Sequence, residues 1–260
     1  MHQVPHARSQ KRYGGEAGGE RAAMRRGMGV DGRVGLVDSL AKAVRGLKVK
    51  TSRSEWGDYY DESNYSAAAM AHKEELVDRH LANCAPGMVW DLGANTGRFA
   101  RLAAATHRTT VAWDLDHEAV ERAWRDQKSG SGRDLLPLIL DLVNPSPALG
   151  WDHGERASLV DRGPAQVALA LALIHHLAIA NNVPLPRVAA FCAGVCRELI
   201  IEFVPKDDPQ VQRLLASRED IFVDYHLEGF EAAFEAHFEI VARDAVTGTN
   251  RTLYLMRRRD

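Results

Sequence analysis

The sequence has few cysteines, no long apolar run and no marked excess of charge of either sign. Its 260 residues include three cysteines, Cys84, Cys192 and Cys196, too few for a disulfide framework or a zinc site. No stretch of about 18 apolar residues indicates a membrane span, and the N-terminus lacks the apolar core of a signal peptide. The formal net charge of −2 gives no overall basic character for binding nucleic acid. These absences favour a protein of the reducing cytoplasm, without a metal site or a membrane segment.

Composition divides the chain into three segments. Residues 1–33 begin with a Gly- and Arg-rich stretch without apolar periodicity, which predicts a disordered tail; the alternative is a basic arm that contacts nucleic acid. Residues 34–85 hold two stretches with helical spacing, separated by the aromatic loop "SEWGDYYDESNY" (54–65). Residues 86–260 form the main domain, in which apolar runs alternate with helical segments.

The apolar runs from residue 88 onward predict the fold. Five of them, from "MVWDLG" (88–93) to "ELIIEFV" (198–204), alternate with helical segments and are apolar on both faces. That order predicts a parallel sheet covered by helices. The last two runs, 238–246 and 251–258, flank the turn-forming "TGTN" and predict an antiparallel hairpin. We therefore predict an α/β, Rossmann-like seven-stranded sheet, with five parallel strands, a C-terminal antiparallel hairpin and helices on both faces.

The stretch "VWDLGANTGRFA" (89–100) has the strand, Gly-rich turn and helix of a ligand-binding corner. In an open parallel sheet, ligands bind beyond the carboxyl ends of the strands. A dinucleotide site would carry G-x-G-x-x-G, but here Gly93 and Gly97 flank Asn95 and the third glycine is missing, so an NAD-dependent oxidoreductase is the less favoured alternative. Asp91, two residues before the first glycine, suits a ligand that carries a cation.

This stretch resembles motif I of the class I S-adenosylmethionine-dependent methyltransferases, which reads acid-x-Gly-x-Gly-x-Gly. Asp91, Gly93, Asn95 and Gly97 take its four positions, and asparagine tolerates left-handed backbone where the family has glycine. The resemblance implies S-adenosyl-L-methionine as the cofactor. Stretches such as "ALALIHHLAIANNVPL" and "IIEFVPKDDPQVQRLL", within about residues 36–260, further resemble a bacterial group of these methyltransferases that is often labelled after a nodulation protein.

Acids at the ends of the next two strands complete the cofactor site that the resemblance implies. Asp114, 23 residues after Asp91, can accept hydrogen bonds from both ribose hydroxyls. Asp116 competes for this role, but we assign it as a helix N-cap. Asp141 ends the third strand, where the family binds the adenine amino group. The predicted cofactor-binding residues are Asp91, Gly93, Ala94, Asn95, Gly97, Asp114, Leu115, Asp141, Leu142 and Ala172, with Tyr59 and Tyr60 from the aromatic loop.

Three residues are candidates for removing a proton from a methyl acceptor. His175 and His176 follow the fourth strand, and Glu202 ends the fifth; the alternative is that one histidine packs and the other caps the next helix. We predict a small-molecule acceptor, because the core lacks a basic stripe. RNA and protein acceptors are alternatives, as is a non-catalytic module that binds S-adenosylmethionine. Nothing in the sequence indicates an oligomeric state.

Overall fold

The computed structural model describes residues 29–47, 65–106, 108–130 and 134–259. The chain divides into two compact units, Met1–Thr51 and Ser52–Asp260. The described part of the first unit is helix α1 (Val30–Gly46), which begins four residues earlier than the predicted helical stretch and has no buried residue. The predicted tail lies outside the described residues up to residue 28. The division into 1–33, 34–85 and 86–260 stays a prediction. The next helix, Ala67–Ala82, belongs to the second unit, so the two helices of the predicted segment 34–85 fall in different units.

The second unit contains a seven-stranded sheet with its covering helices. The helices are α2 (Ala67–Ala82), α3 (Arg98–Ala105), α4 (His117–Ser129), α5 (Leu159–Arg162), α6 (Leu185–Val195), α7 (Pro209–Leu215) and α8 (Leu227–Glu235), with a short 3₁₀ turn (Trp151–His153) and a π-helix (His176–Ala180). The strands are β1 (Val89–Leu92), β2 (Thr110–Asp114), β3 (Leu135–Ile139), β4 (Ala165–Ala170), β5 (Cys196–Phe203), β6 (Phe238–Ala245) and β7 (Thr252–Arg258). None of the described helices combines the length and apolar character needed to cross a bilayer.

The strand order is β3-β2-β1-β4-β5-β7-β6. Strands β1 to β5 pair in parallel, whereas β7 pairs antiparallel with both β5 and β6. This topology confirms the predicted fold. The direction of the strand order reverses between β1 and β4, so the crevice beyond their carboxyl ends is where a sheet of this kind binds ligands.

Apolar side chains on both faces of the sheet explain why the helices cover it. On one face, Trp90 and Ile201 belong to a core that includes Phe230 of α8. On the other face, Leu169 packs in a core that includes Leu76 of α2 and Phe99 of α3. All four residues of β1 are buried, as expected for a central parallel strand. Helix α2 is therefore fixed against the same side of the sheet as α3, which follows the Gly-rich turn.

Candidate active site

The turn after β1 allows close approach to its backbone. Gly93 and Gly97 have φ angles of 75° and 81°, and Asn95 has 51°, all in the left-handed region. The N–H of Gly93 donates to the carbonyl of Trp113 at 2.9 Å, which ties the turn to β2. A Cβ added to Gly93 would lie 3.0 Å from Cδ1 of Leu173. The exit of β4 therefore packs directly against the turn.

Asp91 lies buried in β1, directly before this turn. It is 2% exposed, and among the described residues its Oδ2 has no hydrogen-bond donor. Burial, and then repulsion by Asp114, raises the pKa of Asp91 to about 7, although the N–H of Ala100 and the charge of Lys73 oppose the rise. A buried carboxylate oxygen without a donor is rare in folded proteins, and a bound ammonium group would satisfy it.

Asp114 ends β2 beside the turn. Its Oδ2 accepts the N–H of Asn95 at 2.7 Å, and its Oδ1 accepts the N–H of Asp116 at 2.8 Å. Burial raises the pKa of Asp114, although these two hydrogen bonds favour its ionised form. A carboxylate has about four acceptor positions, so further hydroxyl donors can bind. Asp116 itself accepts the N–H groups of Glu118 and Ala119, which confirms the predicted N-cap of α4.

Other predicted cofactor residues lie at the same ends of β2 and β3. The N–H of Leu140 donates to the carbonyl of Asp114 at 2.8 Å, which sets Asp141 and Leu142 beside the end of β2. Leu115, directly after Asp114, is 61% exposed. An exposed leucine beside these acids offers an apolar surface for a flat ring. The predicted tyrosines of the aromatic loop, Tyr59 and Tyr60, lie outside the described residues.

Two neighbouring histidines follow β4, beyond Ala172, whose φ of 51° turns the chain out of the sheet. His175 is fully buried, and neither ring nitrogen has a partner among the described residues. Its ring centroid lies 4.1 Å from that of His176. Burial, followed by the charges of His176, Arg251 and Lys73, holds the pKa of His175 well below its usual range. Burial and Arg251 lower the pKa of His176 to about 4. Both imidazoles are therefore uncharged at neutral pH.

Five polar side chains near these histidines form what we call the buried network: Tyr65, Lys73, Glu202, Asp208 and Arg251. Lys73 Nζ lies 2.6 Å from Oε2 of Glu202, and Arg251 Nε lies 2.7 Å from Oδ2 of Asp208. The Tyr65 hydroxyl joins the two ion pairs, because it donates to Glu202 and accepts from Lys73 at 3.2 Å and from Arg251 at 2.9 Å. The network thus connects α2, β5 and the start of β7.

Glu202 is engaged by this network on both oxygens. Tyr65 donates to its Oε1 and Lys73 to its Oε2. Burial alone would raise the pKa of Glu202, but the charges of Lys73 and Arg251, together with the hydrogen bonds from Lys73 and Tyr65, hold the pKa below its usual value. A carboxylate whose two oxygens both accept from buried donors is poorly placed to take up a proton from a substrate. The assignment of Glu202 as a base stays a prediction, and its contacts favour a charge-balancing role.

Four members of the network were not predicted from the sequence. One carries a signal: Lys73 stands between Met70 and Val77 at helical spacing, on the buried face of α2. A lysine in an apolar stripe indicates a buried charge with a partner elsewhere. Asp208 and Arg251 carry no such signal, since they lie 43 residues apart in different loops.

Comparison with known proteins gives a related sequence. No protein-family model matches the chain. Nodulation protein NoeA of Rhizobium meliloti (strain 1021) is 39% identical over 225 residues, which make up 86% of this chain and 47% of NoeA. The chain therefore spans about half the length of the curated relative that it matches.

Solved structures share the fold at low sequence identity. N-methyltransferase NodS from Bradyrhizobium japonicum WM9, in complex with S-adenosyl-L-homocysteine, matches with a TM-score of 0.56 at 13% identity, over 78% of this chain and 93% of NodS. The bifunctional kinase-methyltransferase WbdD matches with a TM-score of 0.51 at 14% identity, over 84% of this chain and 46% of WbdD. The chain thus has the fold of the class I S-adenosylmethionine-dependent methyltransferases and is related in sequence to nodulation protein NoeA.

Proposed function

We propose that the chain is an S-adenosylmethionine-dependent methyltransferase that acts on a small-molecule acceptor. The observation that carries this proposal is the buried Oδ2 of Asp91, which has no hydrogen-bond donor among the described residues and lies in the central strand beside a turn with Gly93 and Gly97. This cofactor has an ammonium group and a ribose but no phosphate, so it suits a carboxylate here better than a dinucleotide does. The fold likeness to NodS, which holds S-adenosyl-L-homocysteine, supports the same cofactor class.

In this proposal, one group of residues binds the cofactor and another residue accepts a proton from the acceptor. The cofactor, when bound, supplies a methyl group activated on a sulfonium. Asp91 pairs with its ammonium group, Asp114 accepts the ribose hydroxyls, and Asp141 accepts the adenine amino group. A neutral histidine beyond β4, His175 or His176, takes up a proton from a hydroxyl or amine acceptor at a ring nitrogen.

The acceptor class and the cellular location belong to the same proposal. A small-molecule acceptor is supported by the formal net charge of −2, which gives the chain no overall basic character for binding a nucleic acid. A cytoplasmic location is supported by the cysteines, all three of which are unpaired and buried.

Calorimetric titration with S-adenosylmethionine, S-adenosylhomocysteine and NAD tests the cofactor assignment. We expect the two sulfur ligands to bind and NAD not to bind. Asp114→Ala should weaken S-adenosylhomocysteine binding by about 1–3 kcal/mol, roughly 5–150-fold, because the ribose loses its charged acceptor. Asp126→Ala, on the exposed face of α4, is the matched control and should bind like wild type. Equal affinity in Asp114→Ala would refute the site.

Replacing His176 by alanine should separate binding from turnover. Because His176 would act on the acceptor rather than on the cofactor, His176→Ala should keep the affinity for S-adenosylhomocysteine. Turnover should fall by about 10²–10⁴-fold, the usual contribution of a general base. The assay is release of S-adenosylhomocysteine with an acceptor found in a screen of small amines and hydroxyl compounds. Unchanged turnover in both His175→Ala and His176→Ala would exclude the histidine mechanism.

A further inference from the structure

Lys73 is a buried lysine for which the proposed chemistry has no use. It is 2% exposed, and its Nζ lies 2.6 Å from Glu202 and 5.0 Å from the ring centroid of Phe99. Taking an ammonium group out of water is costly, and apolar residues of similar volume often replace a buried ion pair without loss of stability. The charge of Lys73 therefore needs an explanation beyond stability.

The first turn of α3 brings Lys73 close to Asp91. The ammonium group of Lys73 faces the ring of Phe99, and the N–H of the next residue, Ala100, donates to the carboxylate of Asp91. The lysine cation and the buried carboxylate thus lie against the same helical turn. The charge of Lys73 favours the ionised form of Asp91, while the ion-pair partner of Lys73 is Glu202, at 2.6 Å.

Asp91 is subject to opposing influences from the elements packed around it. Burial and the carboxylate of Asp114 disfavour its ionised form, whereas the N–H of Ala100 and the charge of Lys73 favour that form. The titratable and charged groups on these elements include Lys73 and Glu74 on α2, Arg98 on α3, Asp114 on β2, His175 beyond β4, and Glu202 on β5. Glu74 pairs with Arg98 at 2.6 Å, and His175 is uncharged. The charge of Lys73 therefore opposes the effect of burial and of Asp114 on the carboxylate of Asp91.

We propose that Lys73 is a positioning residue for the cofactor, whose buried ammonium group keeps the Asp91 carboxylate in the ionised form that pairs with the cofactor's amino group. This inference rests on the proposed function. A protonated Asp91 would present a hydroxyl to an ammonium group, so that two donors would face each other.

The pH dependence of ligand binding reports on this role. The pKa of Asp91 is about 7 in the ligand-free protein. Above that pH the affinity for S-adenosylhomocysteine should be constant. Below it the affinity should fall by up to about tenfold per pH unit, because binding then requires loss of a proton. Without the cation of Lys73, the pKa of Asp91 rises and this acidic limb moves to higher pH.

Two double variants remove one ion pair of the buried network each. Lys73→Met/Glu202→Gln removes the pair near Asp91, and Arg251→Met/Asp208→Asn removes the other pair; neither leaves a charge unpaired. Binding of S-adenosylhomocysteine is measured by calorimetry from about pH 5.5 to 9. The first variant should shift the acidic limb upward by up to about one pH unit, which is a loss of affinity of up to about fivefold at pH 7, and the second should not shift it. No shift in the first variant, or equal shifts in both, overturns the inference.

Two further nucleosides separate an effect through Asp91 from direct contact with the ligand. S-adenosyl-3-thiopropylamine keeps the amino group but lacks the carboxylate, and it should show the same shift. A shift with S-adenosylhomocysteine alone would mean that Lys73 binds the carboxylate directly, which overturns the inference. 5′-Methylthioadenosine lacks both groups, and equal affinity in wild type and both variants shows that the nucleoside site is folded.

If Lys73→Met/Glu202→Gln fails to bind 5′-methylthioadenosine, the single variant Lys73→Arg is measured instead. Lys73→Arg keeps the cation and should keep the wild-type acidic limb, and a shift in this variant would contradict the role of the charge. Failure of the wild-type protein to bind S-adenosylhomocysteine would instead refute the proposed function. The two failures are therefore distinguishable.

Discussion

Replacing Asp91 by asparagine is expected to weaken ligand binding and at the same time to stabilise the ligand-free protein. Asparagine keeps an acceptor for the N–H of Ala100 but cannot pair with an ammonium group. Affinity for S-adenosylhomocysteine should fall by about 1.5–3 kcal/mol, roughly 10–150-fold, as expected for the loss of a hydrogen bond to a charged group. Binding of 5′-methylthioadenosine, which lacks the amino group, should not change.

The gain in stability follows from the titration of Asp91. Its pKa of about 7 in the folded protein lies above the value of about 3.9 in an unfolded chain. The folded protein therefore holds a proton between these two pH values that the unfolded chain releases, so Asp91 lowers the free energy of unfolding as the pH rises. This destabilisation is absent below about pH 4 and complete above about pH 7.

Asp91→Asn should thus raise the free energy of unfolding by about 1–3 kcal/mol at pH 8 and by less at pH 5. Urea unfolding of the ligand-free protein at both pH values measures the difference. A variant that is less stable than wild type at pH 8 would show that Asp91 is not strained in the ligand-free state.

Replacing Arg251 by methionine is expected to cost about 3–5 kcal/mol of stability, because it leaves the carboxylate of Asp208 buried without a counter-charge. Arg251 is 2% exposed and bonds to both oxygens of Asp208, at 2.7 and 3.1 Å. The same change removes a donor from the hydroxyl of Tyr65. The midpoint of urea or thermal unfolding is the measurement.

An ion pair on the surface provides the matched control. Arg79 lies 2.6 Å from Asp244, with side chains 51% and 29% exposed, so Arg79→Met should cost less than about 1 kcal/mol. Adding Asp208→Asn to Arg251→Met should recover most of the lost stability, since no buried charge is then left alone. Equal losses in Arg251→Met and Arg79→Met would mean that solvent reaches the buried pair.

The fold could be predicted from the sequence because its determinants are local. Strands such as β1 and β5 are short apolar runs, and the turn after β1 is marked by glycines at positions that need positive φ. Strand ends were predicted less well. The fourth of the five apolar runs, "QVALALAL" (166–173), predicts a strand to Leu173. Strand β4 ends at Ala170, because the chain leaves the sheet through the left-handed Ala172 to pack Leu173 against Gly93.

The electrostatic surroundings of the candidate site could not be predicted in the same way. Tyr65 reaches Glu202 across 137 residues of sequence and Arg251 across 186. Whether the acid at the end of β5 meets solvent, substrate or a lysine depends on how α2 packs, which local patterns do not specify. In the sequence Glu202 is marked only as an acid at a strand end, whereas the packing of the chain brings Tyr65 and Lys73 to its two oxygens.

The position of β7 means that part of the sheet and of the buried network can form only late in synthesis of the chain. Strand β7, the last that the structure describes, fills the place between β5 and β6, and Arg251 directly precedes it. Until this segment leaves the ribosome, β5 has an open edge and Asp208 lacks its counter-charge. Such an edge can pair with another chain, and contacts this distant in sequence form slowly. The buried network is therefore completed only after the start of β7 has been translated.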